Sequence, residues 1–134
     1  MQYHTNSCGV DEAALKRALI KAISTASSNG SNEVLILVHT LDMLHGVIES
    51  VLGKAFITSF LKNRVAKAGA VSIFLETEKV KSSFKSGVIF CPHISHKLLQ
   101  VALNDHRKID IVYVPWAEVE RDEYITSYPA SVQV

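Results

Sequence analysis

Glu33-Val34-Leu35-Ile36-Leu37-Val38 is one charge followed by five apolar residues with no polar alternation. A strand with one wet face alternates. A strand that does not is covered on both faces, as parallel strands packed by helices are. Three further runs read the same way: Val71–Leu75, Val88–Cys91 closed by Pro92, and Ile109–Val114 closed by Pro115. Proline cannot donate to a central ladder, so each of the last two strands ends where its proline begins.

Between these runs the apolar spacing changes to the helical period. Asp11 is a candidate N-cap, followed by Ala14, Leu15, Ala18, Leu19, Ala22, Ile23 and Ala26 on one stripe; the spacing predicts a helix over 11–27 that stops at Ser27-Ser28-Asn29-Gly30. Residues 43–68 are helical in pattern but interrupted by Gly46 and Gly53, which fits one bent helix or two consecutive ones. Val80 and Phe84, four apart, predict a short helix within Glu76–Ser86. Ser95 is the candidate cap of a helix within His93–Asn104, and a last short helix is expected over Trp116–Ile125.

Strands alternating with helices predict right-handed crossovers and helices on both faces of the sheet. The expected architecture is a single α/β domain over 1–134: a three-layer, Rossmann-like sandwich with a mostly parallel sheet of four to five strands. Residues 1–10 are expected as a polar N-terminal tail or short edge element, and 126–134 as a C-terminal tail or edge strand. Two strand orders remain open. One places the 33–38 strand between the second and third strands; the other places it beside the fourth.

Composition narrows the function classes. The 134 residues are 48% hydrophobic and 20% charged, which excludes wholesale disorder, and the formal net charge of +1 argues against nucleic acid. Two basic stretches (Lys54, Lys62, Arg64 and Lys67; Lys79, Lys81 and Lys85) have no interleaved aromatics, so nucleic-acid binding ranks third among the readings. Cys8 and Cys91 read as reduced thiols and not as a disulfide framework. The start is polar, without the apolar stretch of a signal peptide, and the longest purely apolar run is far short of a membrane span. A cytoplasmic protein with no membrane contact is expected.

No Gly-rich phosphate loop, dinucleotide fingerprint or nucleophile elbow is present, so no cofactor is assigned and the choice between binding and turnover stays open. The placement rule for open parallel sheets still says where to look: beyond the carboxyl ends of the strands, at a switch in strand order. That edge receives His39, Thr40 and Asp42 from the first run, Thr77 from the second and His93 from the third. These five are the candidate ligand-binding residues, and helix N-termini among them favour a small anionic, phosphate-bearing ligand. The competing reading is that Thr40, Asp42 and Ser95 are ordinary caps. Cys91, His93 and His96 are weak candidates for a metal, with a spacing that matches no zinc signature. Cys91 as a nucleophile would need a histidine to lower its pKa. From a different class comes an interaction module: 43–61 is apolar on more than one face, which suggests a homodimer through Val47, Val51, Phe56 and Phe60.

Overall fold

A computed structural model describes all 134 residues. In chain order the elements are β1 (Gln2–His4), α1 (Glu12–Ser28), β2 (Glu33–Leu37), a 3-10 turn (Leu41–His45), α2 (Val47–Leu52), α3 (Lys54–Asn63), β3 (Val65–Ala68), β4 (Val71–Glu76), β5 (Gly87–Pro92), α4 (His96–Leu103), β6 (Lys108–Val114), α5 (Glu118–Ser127) and β7 (Val132–Gln133). The sheet runs β3-β4-β2-β5-β6-β1-β7. Every pair is parallel except the β3–β4 hairpin.

The sheet has seven strands where four to five were expected. The three additional strands hold only two to four residues each. None is long enough to show a periodicity. β1, expected as a tail or edge element, pairs on both sides, with β6 and β7. β3 lies inside the stretch expected to be helical. Arg64 ends α3 in the left-handed region (φ 63°) with its N–H on the Phe60 carbonyl, and the hairpin then turns at Gly69 (φ 60°). Between Gly46 and Arg64 the two-helix alternative holds, with the break at Gly53 (φ 93°).

The all-round apolarity of β2 has a direct cause. Val34, Ile36 and Val38 pack with α1, α2 and α3 in one core, whereas Leu35 and Leu37 pack with α4 and α5 in a second core across the sheet. Alternate residues of a strand point to opposite faces, so a strand with a core on each side has no polar positions left. The 43–61 segment is apolar for the same reason. Phe60 and Ile57 are fully buried in the first core, with Val47, Val51 and Phe56 packed against it, and no large apolar side chain of 47–61 is exposed. Phe60, proposed from sequence as a dimer contact, is therefore interior.

Residues 77–86 form no helix. They make an irregular strap from the end of β4 to the start of β5. Thr77 Oγ1 accepts the N–H groups of Lys79 and Val80, and the Ser82 hydroxyl accepts the N–H of Phe84. Serine and threonine side chains that bind nearby N–H groups compete with helix formation. Val80 and Phe84, read as one helical stripe, separate: Phe84 is buried in the second core and Val80 is only partly covered.

Candidate functional site

The 3-10 turn, α2 and α3 share the core of α1, while α4 lies in the opposite one. The chain thus leaves β2 and its neighbour β5 toward opposite faces, and the switch point falls between these two strands. Of the two orders open from sequence, the one that sets β2 between β4 and β5 is observed. The crevice is bridged from within. Ser95 N–H donates to His39 Nε2 at 2.8 Å, and the Ser95 hydroxyl accepts the N–H of Leu98 at the start of α4. His39 ties β2 to α4.

The open space lies on the other side of β2. A cavity of about 380 Å³ between the ends of β2 and β4 is lined by His39, Thr40, Asp42, Thr77, Glu78 and Lys79, with Leu41 and Val80. Four of the five sequence candidates therefore share one cavity. Thr77 is only 5% exposed, and its N–H donates to the Val80 carbonyl at 3.0 Å, so the turn that carries Glu78 and Lys79 is closed on itself. Thr40, Asp42, Glu78 and Lys79 are exposed and present their side chains to solvent. The charged wall is one ammonium against two carboxylates.

His93 is not part of it. Its backbone is left-handed (φ 57°), its N–H donates to the Val114 carbonyl, and its ring stacks edge-on against Trp116 at 4.8 Å. Burial holds its pKa below the ordinary histidine value. Cys91 is fully buried in the second core, and burial pushes its thiol pKa far up, the opposite of what a nucleophile needs. His96 is exposed on α4, beside Asp122 and Glu123 of α5. Cys91, His93 and His96 do not converge, and no group of three His, Cys, Asp or Glu side chains is placed to hold a metal ion.

One constellation escaped the sequence reading. The Arg107 guanidinium donates to both oxygens of Glu76 (2.9 and 3.0 Å) and to Asp105 (2.8 Å), and Glu76 also accepts the N–H and hydroxyl of Ser82. Glu76 is 1% exposed. Burial alone would raise its pKa, but the bonds from Arg107 and Ser82 outweigh that and hold it below the usual carboxylate value. The partners are 31 residues apart, and no local spacing announces the pair.

No protein-family model matches the chain, and neither a curated protein nor a solved structure matches it.

Proposed function

We propose that this chain binds a small polar ligand at the carboxyl edge of its sheet, in the cavity between the ends of β2 and β4, on a scaffold of the three-layer, Rossmann-like kind. The observation that carries the reading is the convergence of His39, Thr40, Asp42 and Thr77, with Glu78 and Lys79, on one solvent-open cavity. Its volume of about 380 Å³ falls within the range of small-molecule sites. The electrostatics refine the ligand class. Lys79 suits an anionic group such as a phosphate, but Asp42 and Glu78 would repel a bare phosphate. The ligand that fits all three carries hydroxyl or amino groups beside its anionic one, as a sugar phosphate or nucleotide does. Self-association through 43–68 has less support, because 47–61 keeps its large apolar side chains covered and Val65, on β3, is the one large apolar side chain of the segment that is exposed.

The test is a thermal-shift panel of inorganic phosphate, sugar phosphates and nucleotides on the wild type and on Lys79→Ala and Asp42→Asn. Both residues are exposed, so neither change disturbs the fold. A hydroxyl-bearing phosphate at a hundred times its dissociation constant should add about 2.7 kcal/mol and raise the midpoint. Both variants should lose most of that shift. A panel without a shift, or a shift the variants keep, overturns the reading. His39→Ala is the wrong probe, since it also frees the Ser95 N–H.

A further inference from the structure

The strap over 77–86 leaves part of the second face of β2 without a covering helix. A groove of about 260 Å³ lies there. Its floor is Leu35 and Leu37, and one wall is α4, through Leu98, Val101 and Ala102. The other wall is the strap, through Glu78 and Lys81. Val101 is 53% exposed, an apolar side chain on the lip of an apolar groove.

The charges around it sort into spent and unspent. Glu76 and Asp105 are both bound to Arg107, and Glu76 accepts two more bonds from Ser82. That cluster holds the strap to the start of β6 and has no hydrogen-bonding capacity left for a ligand. Lys81 and Lys97 are in no ion pair; Lys81 makes only a long bond of 3.4 Å to the Thr77 carbonyl. Two unpaired ammonium groups therefore flank an apolar floor, with Glu78 as the single free carboxylate. Lysine stems lie along apolar surface while their heads reach toward charge, which is how such a rim meets an anion above a hydrophobic body.

We propose that this groove is a second binding site, adjoining the cavity at the carboxyl edge through the Glu78 they share, for a small amphipathic anion: a carboxylate or sulfonate on a short hydrocarbon or aromatic body. The body lies on Leu35, Leu37 and Val101, and the anionic group lies between Lys81 and Lys97.

Anilinonaphthalene sulfonate is a probe of this class, and its fluorescence rises when its ring leaves water. The folded wild type should bind it with one-to-one stoichiometry, and octanoate should displace it. Val101→Glu puts a carboxylate on the apolar lip at a half-exposed position the fold does not depend on, and should weaken binding by about tenfold or more. Lys97→Ala should weaken it less, and Lys79→Ala, in the other cavity, should leave it unchanged. Unfolding midpoints of all variants establish that folded protein is compared. Absence of binding to the wild type, binding that Val101→Glu leaves intact, or failure of octanoate to compete overturns the proposal. None of these outcomes bears on the carboxyl-edge site, which the Lys79→Ala and Asp42→Asn panel tests alone.

Discussion

At the scale of the residue, the fold is most exposed to change at Arg107. Its guanidinium is the only cation bonded to Glu76, whose side chain is 1% exposed. Arg107→Ala would leave that carboxylate buried without a counter-ion, held only by the N–H and hydroxyl of Ser82. Removing one partner of a buried pair costs about 3–5 kcal/mol; with the guanidinium 20% exposed, about 2–3 kcal/mol is expected here. Adding Glu76→Gln to Arg107→Ala should recover part of that loss, because the residual buried group is then neutral. Urea midpoints of the single and double variants check this, and a double variant less stable than the single would contradict it. The same scale explains why His39, chosen from sequence as a ligand contact, is first of all a bridge. Its Nε2 is committed to the Ser95 N–H, and only the remainder of the ring faces the cavity.

At the scale of the element, the pairing of β2 with β5 sets the site, since it decides which strand ends are neighbours. That pairing depends on Gly87. A Cβ there would overlap the carbonyl of Glu33, the first residue of β2, and the β5–β6 ladder is already irregular between Gly87 and Val88. Glycine is required for close approach of two backbones and not for its φ. Gly87→Ala should therefore force the strands apart and destabilise the protein by about 1–3 kcal/mol. Amide exchange should quicken at Val34–Ile36 and Val88–Phe90, the paired residues of the two strands. An unchanged midpoint with unchanged exchange would mean that the strand end yields without cost. The strap belongs to this scale as well. Its hydrogen bonds to the Thr77 hydroxyl and from the Ser82 hydroxyl stand where a crossover helix would, and the space left by that helix becomes the groove.

At the scale of the whole molecule, stability should decline in two steps as pH falls. Burial lowers the pKa of His4 and of His93. As pH falls below about 6.5, the ordinary histidine value, the unfolded chain binds protons that the folded one refuses, and stability drops until the folded pKa is passed. Asp105 is held below the usual carboxylate range mainly by its bond from Arg107. Glu76 is held there by Arg107 and Ser82 against the opposing effect of burial. Their contribution is present above about pH 4 and is lost as pH falls through the depressed values. Urea midpoints between pH 8 and pH 3 should show both declines. The Arg107→Ala, Glu76→Gln double variant should keep the upper decline and lose most of the lower one. A single decline below pH 4 would show that the histidines do not contribute.

The sequence by itself determined the α/β class and the four strands β2, β4, β5 and β6. It also determined the caps Asp11 and Ser95, whose side chains accept the N–H groups of Ala14 and Leu98. Each of these follows from a periodicity or a hydrogen bond spanning a few residues, and such local physics is written in the local order of side chains. The tertiary structure alone decided the strand order, and it decided that the short runs at 2–4, 65–68 and 132–133 join the sheet. It also separated His93 from the other four candidates, turned 77–86 into a strap and joined Glu76 to Arg107. These outcomes depend on which distant surfaces meet: His39 bonds a residue 56 positions away, and His4 one 127 positions away. A two-residue strand has no period of its own, and only the neighbour already in place makes it a strand.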